Sequence, residues 1–155
     1  MSLKHSSQYL VVIFMMMFVA GLLLTYTPLI TDTGGAFYYS VYAGENAYAE
    51  LAPEIRDYHL FVYGVMGSVM SAWCVLLAYI AANPLRQGER WAWNLILVSV
   101  IIWFVGDSFI SGATGFWLHV GLNAIFMTLI EIGLWMSYRH IRKAPSQTPE
   151  MLLSA

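Results

Sequence analysis

Charged residues are scarce in this sequence, and their scarcity argues against a soluble domain. They make up 10% of the 155 residues, whereas apolar residues make up 59%. Soluble domains carry about 25% charged residues, and so few charges could not cover this much apolar surface in water. A lipid bilayer would cover it. We therefore expect a single domain embedded in a membrane.

Basic tracts and pairs of cysteines are also missing. The net charge is −2, and no cluster of Lys and Arg of the kind that binds nucleic acid is present. The single cysteine, Cys74, lies within an apolar run. An intramolecular disulfide is therefore impossible, and a cysteine-based metal cluster is not expected.

What the sequence has instead is long apolar segments. A membrane-spanning helix needs about 20 mostly apolar residues, and four segments reach that length, at about 9–29, 58–82, 91–110 and 116–138. They predict an all-α, four-transmembrane-helix bundle over residues 1–143, followed by a disordered tail over 144–155. The first segment exceeds the usual ~7–15-residue core of a signal peptide, so we expect it to be retained as a helix.

The basic residues predict the orientation of this bundle. With four spans, all but one of them fall on the same side as the two termini: Lys4, Arg86, Arg90, Arg139, Arg142 and Lys143. The other side holds Arg56 together with Asp32, Glu45, Glu50, Glu54 and Asp57. Because cytoplasmic loops carry the excess of Lys and Arg, we expect both termini to be cytoplasmic and the protein to lie in the plasma membrane.

The links between the spans differ in length. About thirty tyrosine-rich residues join the first two spans, and such long loops are usually functional or disordered, while aromatic content argues against disorder. An ordered cap and a simple interfacial anchor both stay open. Pro53 suits a first helical turn and predicts that the second helix begins near Ala52. The short turn NPLRQGER predicts a tight hairpin of spans two and three, and SGATG brings spans three and four side by side.

Small residues on the second span predict close helix packing. Gly64 and Ser68 form one small-xxx-small pair, and Gly67 and Ser71 form another. Such pairs let two helix backbones approach closely within lipid. The neighbour could belong to this chain or to another, and the needs of a four-helix bundle favour this chain.

Polar side chains near the outer ends of three spans form a candidate site. An ionisable residue inside a span is costly and suggests function, which draws attention to Asp107. Side chains expected at similar depth, in one outward-facing pocket under the tyrosine-rich loop, are Arg56, His59, Tyr63, Asp107, Ser111, His119 and Asn123. The cofactor, if any, is not indicated by the sequence.

Three interpretations of this pocket stay open. Asp107 could pair with Arg56 or His119 and hold the bundle together. The pocket could bind a ligand, because arginine suits a carboxylate or an anionic headgroup. Alternatively, His59, Asp107 and His119 could hold zinc, iron or copper or carry out acid–base chemistry, although their spacing matches no recognised metal signature.

Glu131 is a second ionisable residue at membrane depth. It lies about 10 Å from the inner end of the fourth span, at 1.5 Å per residue, and no basic residue of the chain is expected at that depth. It could be protonated, hydrogen-bonded to Thr128, Ser99 or Ser71, or in contact with a partner subunit.

Several short patterns resemble a known group of proteins. They are R-x-x-H-x-x-x-Y-G-V-M-G from Arg56, P-L-R-x-G-E-R-W from Pro84, W-F-x-x-D-S-x-x-S from Trp103, and an asparagine in the last span. Spans two to four thus resemble small four-helix bacterial membrane proteins described as DoxX-like or as domains of unknown function. The resemblance implies a bacterial inner-membrane bundle without an established activity.

Three functions follow as hypotheses. The leading one is a non-enzymatic accessory subunit or homo-oligomeric component, whose partners are the lipid bilayer and other membrane subunits or copies of itself. The second is a binding protein or enzyme for a small amphipathic molecule such as a lipid, quinone or isoprenoid. The third is a proton or ion pathway through Glu131 and Asp107, although few polar residues lie between them.

Overall fold

The computed structural model describes residues 2–30, 39–41, 43, 44 and 47–142, and it contains no β-strand within these ranges. Four helices make up most of this part: α1 (Leu3–Ile30), α2 (Pro53–Ile80), α3 (Arg90–Ala113) and α4 (Trp117–Ile141). Each is long and apolar enough to cross a membrane. The predicted tail over 144–155 lies outside the described residues, as does most of the segment from 31 to 46.

The helices extend beyond most of the predicted span limits. The spans were placed by counting apolar residues, which marks the hydrocarbon layer, whereas a helix continues until its backbone hydrogen bonding is interrupted. α2 begins at Pro53, as its sequence predicts, because the first turn of a helix does not need the missing proline N–H. At its other end, Pro84 lies in a π-helical turn (Ala81–Leu85), and Gly88 has a φ of +89°.

The order of contacts places α1 between two neighbours. α1 packs against both α2 and α4, and α3 packs against α4. We call the end that carries Lys4, Arg86, Arg90, Arg139 and Arg142 the basic end. The opposite end, where α1 and α3 finish and α2 and α4 begin, we call the acidic end, because Glu50, Glu54 and Asp57 lie there.

Two glycines bring the backbones of α1 and α2 into close contact. A Cβ atom added to Gly21 would lie 2.8 Å from the carbonyl oxygen of Gly67, and one added to Gly67 would overlap the carbonyl oxygen of Gly21 and the side chain of Thr25. The Ser71 hydroxyl donates to the carbonyl oxygen of Phe18 across the same contact, at 3.2 Å. These two glycines therefore set the spacing between α1 and α2.

α2 and α3 do not pack closely against each other along their length, as the predicted tight hairpin would require. The link is short, but α2 and α3 come close at few points. They meet through large side chains: the Trp73 indole N–H donates to the Ser99 hydroxyl at 2.7 Å, and the ring centroids of Trp73 and Trp103 are 5.7 Å apart. The two indoles between the helices hold the axes of α2 and α3 apart, whereas the missing side chains of Gly21 and Gly67 let α2 lie close to α1.

The apolar core fills the half of the bundle nearest the basic end. Its members include Phe14 on α1, Leu77 on α2, Ile96 on α3 and Ile130 on α4, all at most 2% exposed. In the other half, a Cβ added at Gly64, Gly106 or Gly121 would meet no atom within 4 Å. Gly106 and Gly121 are exposed, whereas the buried positions towards the acidic end include the polar residues Ser71, Ser111 and Asn123.

The outward-facing side chains of the bundle are mostly apolar. Phe61 on α2, Ile102 on α3 and Phe109 on α3 are 65%, 68% and 75% exposed. An exposed apolar surface of this extent marks contact with a membrane or another protein. It agrees with the composition, because lipid covers what the few charges cannot.

Candidate functional site

The turn between α3 and α4 brings two predicted site residues into contact. Gly115 has a φ of +85°, and the backbone N–H of Phe116 donates to the carbonyl oxygen of Ser111 at 2.7 Å, which closes the turn tightly. His119 Nε2 then lies 3.2 Å from Asp107 Oδ2. Their side chains are 26% and 24% exposed, so the pair is partly shielded from its surroundings.

A second polar contact lies one helical turn further along the same interface. Asn123, four residues after His119, is 3% exposed, and its Nδ2 donates to the Ser108 hydroxyl at 3.4 Å. Ser111 is buried nearby on α3. Residues four apart lie on one helix face, so these polar contacts line one seam between α3 and α4. We call Asp107, Ser108, Ser111, His119 and Asn123 the α3–α4 seam.

The other predicted site residues gather at the start of α2. The rings of His59 and Tyr63 are stacked with centroids 6.2 Å apart, and the Tyr39 ring lies 5.6 Å from that of His59. Tyr48 contacts Tyr39 at a centroid distance of 6.0 Å and is 4% exposed. Two tyrosines of the first loop therefore pack over the beginning of α2, in the described part of that loop.

Two nitrogen atoms in this region are buried without a hydrogen bond. They are Arg56 Nε and His59 Nδ1, and neither has a partner among the described residues. A buried donor or acceptor left unsatisfied costs about 1–3 kcal/mol. We call Arg56, His59, Tyr63 and Tyr39 the α2 cluster. Its Arg56 Nε and His59 Nδ1 offer hydrogen-bonding capacity that the described part of the chain does not use.

The predicted pocket residues fall in two groups of contacts. In the α3–α4 seam, His119 meets Asp107 and Asn123 meets Ser108. In the α2 cluster, the His59 ring lies against the rings of Tyr39 and Tyr63. Among the described residues, no three His, Cys, Asp or Glu side chains are grouped so that they could hold a metal ion. The three-ligand metal site predicted at His59, Asp107 and His119 is therefore not found in this part of the chain, and convergence of the whole pocket stays a prediction.

Glu131 lies on the exposed surface of α4. The three hydroxyl groups predicted as its partners are engaged elsewhere: Thr128 donates to the Ala124 carbonyl, Ser99 accepts from Trp73, and Ser71 donates to the Gly67 carbonyl. Across the described residues, the Glu131 carboxyl group has neither a hydrogen bond nor an ion pair. It lies 14 residues after the start of α4 and 10 before its end.

The residues around Glu131 form a stripe that sequence reasoning missed as a whole. Gly121, Ala124, Thr128, Glu131 and Trp135 are all exposed, and the intervals between them are three, four, three and four residues. This alternation is the spacing by which one helix packs along another in a left-handed pair. We call these five residues the α4 face. The intervals of three and four residues can be read from the sequence. That these residues share an exposed face can be recognised only once the buried side of α4 is known.

Comparison with known proteins identified no relative of this chain. No family model, curated protein or solved structure matches this chain. The resemblance to DoxX-like proteins therefore stays a prediction, and function has to be argued from the chain's own geometry.

Proposed function

We propose that this chain is a non-enzymatic component of a membrane assembly and that it contacts another helix through the α4 face. The observation that supports this proposal is Glu131, a carboxyl group near the middle of an apolar helix, exposed and without a partner in the described residues. A residue of this kind on the outside of a bundle is explained most simply by a polar group on a neighbouring chain.

The energetics favour a protein neighbour over lipid at this position. An acidic side chain at the centre of a spanning helix costs about 2.5–3.5 kcal/mol on insertion scales. The nearer end of α4 is about 15 Å away along the axis, at 1.5 Å per residue, which is beyond the reach of a glutamate side chain. A hydrogen-bond donor on a packed neighbour would offset this cost.

The shape of the α4 face supports the same proposal. Gly121, Ala124 and Thr128 are small, and small residues let two helix backbones approach closely in lipid, where packing and interhelical hydrogen bonds drive association. By contrast, the α1 side of α4 is already occupied, because a Cβ added at Gly133 would lie 2.6 Å from Leu10. The exposed side is therefore the one open to another chain.

Native mass spectrometry of the protein, extracted gently from its own membrane, tests the proposal. We expect masses above that of one chain: multiples of it for a homo-oligomer, or added masses of other chains for an accessory subunit. A monomer alone under mild extraction would contradict assembly.

A matched pair of substitutions locates the contact. Gly121→Leu and Gly106→Leu both add a side chain at an exposed glycine with open space around it. We expect Gly121→Leu, on α4, to disrupt the assembly and Gly106→Leu, on α3, to leave it intact. Equal effects would show that the contact lies elsewhere than on the α4 face.

A second candidate function is binding of a small amphipathic molecule at the acidic end. The observation that favours it is the buried, unsatisfied Arg56 Nε and His59 Nδ1 under Tyr39. An added small-molecule mass in the same native spectra, lost in His59→Leu and retained in His140→Leu, would support it. Retention of that mass by both variants would exclude the α2 cluster as the binding site.

We also propose that the basic end is cytoplasmic and that the membrane is a bacterial inner membrane. The concentration of Lys and Arg at that end supports the orientation, and the resemblance to small bacterial four-helix proteins supports the choice of membrane. Cys74 is the only cysteine and is buried, so a Cys74→Ser background allows single cysteines to be introduced at the exposed residues Glu50 and Gln87. A membrane-impermeant maleimide applied to intact cells should label Glu50→Cys and spare Gln87→Cys. The reverse pattern would invert the orientation.

A further inference from the structure

A cavity lies at the basic end, between the start of α3 and the end of α4. Its volume is ≈ 300 Å³, at the lower end of the range of about 300–1,000 Å³ found for small-ligand pockets. The residues that line it are Arg90, Trp93 and Asn94 of α3, Tyr138 and Ile141 of α4, and Arg142 directly after α4. None of them belongs to the α4 face, so this cavity is separate from the proposed assembly surface.

The cavity carries two positive charges and no negative one. Arg90 lines it at the start of α3 and Arg142 directly after α4, and none of the lining residues is acidic. Among the described residues, neither guanidinium group has an ion pair or a hydrogen bond. Asn94 adds an amide and Tyr138 a hydroxyl group. Paired guanidinium groups with neutral donors beside them are suited to a phosphate group, which arginine binds in bidentate geometry.

The backbone contributes less than these side chains. Arg90 opens α3, where the first N–H groups have no acceptor within the helix and attract anions. Ile141 closes α4, whose terminal carbonyl groups have the opposite sign. Because the partial charges of the two helix ends have opposite signs, their effects on an anion largely cancel. The attraction for an anion therefore comes mainly from Arg90 and Arg142.

The surroundings of the cavity place it at the level of lipid headgroups. The rings of Trp93 and Tyr138 lie 5.2 Å apart in its wall, and the Ile141 side chain is buried at 4% exposure. Trp91 and Trp135 are exposed nearby, at 54% and 61%. Tryptophan and tyrosine concentrate where hydrocarbon meets headgroups, so the two arginines lie where phospholipid phosphates lie.

We propose that this cavity binds the phosphate group of an anionic phospholipid, with Arg90 and Arg142 as the charged contacts. Basic pockets between spanning helices on the cytoplasmic side are known to hold anionic headgroups. The apolar flank of the cavity leaves the acyl chains in the bilayer, which is a reason for preferring a lipid to a free anion.

The test uses the full chain in detergent micelles containing equimolar phosphatidylglycerol and phosphatidylcholine, with bound lipids resolved by native mass spectrometry. We expect the wild type to retain phosphatidylglycerol over phosphatidylcholine by about tenfold or more, because two arginines attract the net negative charge of its headgroup. The double variant Arg90→Gln, Arg142→Gln should reduce this preference to less than about twofold. Arg90→Lys, Arg142→Lys keeps the charge but not the bidentate geometry, and it should retain part of the preference.

The matched control removes the same charge outside the cavity. Arg86→Gln, Arg139→Gln alters two exposed arginines that do not line it, and it should bind phosphatidylglycerol as the wild type does. An equal loss in this control would show that general surface charge attracts the lipid and would overturn the proposal. So would displacement of the lipid by millimolar inorganic phosphate, because the site would then be one for a soluble anion.

Discussion

At the scale of single residues, the contact between Asp107 and His119 shows how a membrane protein accommodates ionisable groups. Each side chain is about a quarter exposed, and they meet at 3.2 Å across two helices joined by a tight turn. A paired acid and imidazole satisfy one another where a lone charge would be costly. Because this contact joins α3 to α4 beside the turn that connects them, we interpret it as a structural clamp.

A double-mutant cycle measures the strength of this clamp. Asp107→Ala, His119→Ala and the double variant should show a coupling free energy of unfolding of about 0.5–1.5 kcal/mol, the scale of interhelical hydrogen bonds in membranes. Reversible unfolding in a mixed-detergent titration provides the measurement. Additive effects of the two substitutions would mean that the pair contributes no net stability.

The ionisable candidate residues were identifiable from the sequence, but the way they are grouped was not. Asp107, His119 and His59 all lie near one end of the bundle, because their positions along the spans fix their depth. Which of them meet depends on helix rotation and on which helices are neighbours. Those are set by packing over the whole length of the helices, so the convergence of His59 with Asp107 stays a prediction.

At the scale of helices, the contact between α1 and α2 depends on glycine. Gly67 and Gly64 lie one turn apart on α2, yet a Cβ at Gly67 would overlap α1 whereas a Cβ at Gly64 would meet open space. The buried and rigid neighbours at Gly67 are a backbone carbonyl and the Thr25 backbone nitrogen, which cannot move aside as a flexible side chain would.

Gly67→Ala and Gly64→Ala therefore form a matched pair. We expect Gly67→Ala to lower the free energy of unfolding by about 1–3 kcal/mol, the usual cost of overpacking. Gly64→Ala should change it by less than about 0.5 kcal/mol. The same detergent titration measures both, and a Gly64→Ala loss as large as that of Gly67→Ala would contradict the described crossing of α1 and α2.

The helix packing was only partly predictable for a physical reason. The spacing of small residues predicted two candidate pairs on α2, and only Gly67 and Ser71 are buried, while Ser68 is exposed. The partner glycine, Gly21 on α1, was missed because a lone glycine in an apolar helix carries no pattern of its own. A helix face is defined by its neighbour, and a single sequence does not name that neighbour.

At the scale of the whole molecule, the four apolar helices were predictable because the thickness of a bilayer sets their length. Which helices pack against each other was harder to predict. The most extensive contacts join α1 to α2 and α3 to α4, and α1 also packs against α4. Short links predicted only which helices are consecutive. This packing leaves the α4 face, with Glu131, outside the bundle.

The most direct test of the assembly proposal compares Glu131→Leu with Glu131→Gln by energy transfer between labelled chains, or between the chain and its co-purified partner, in native membranes. We predict that Glu131→Leu weakens association by about threefold to thirtyfold, the range that ~0.6–2 kcal/mol per interhelical hydrogen bond gives. Glu131→Gln should retain most of the association, because its amide group still forms hydrogen bonds. Wild-type association in Glu131→Leu would contradict the claim that Glu131 joins this chain to another.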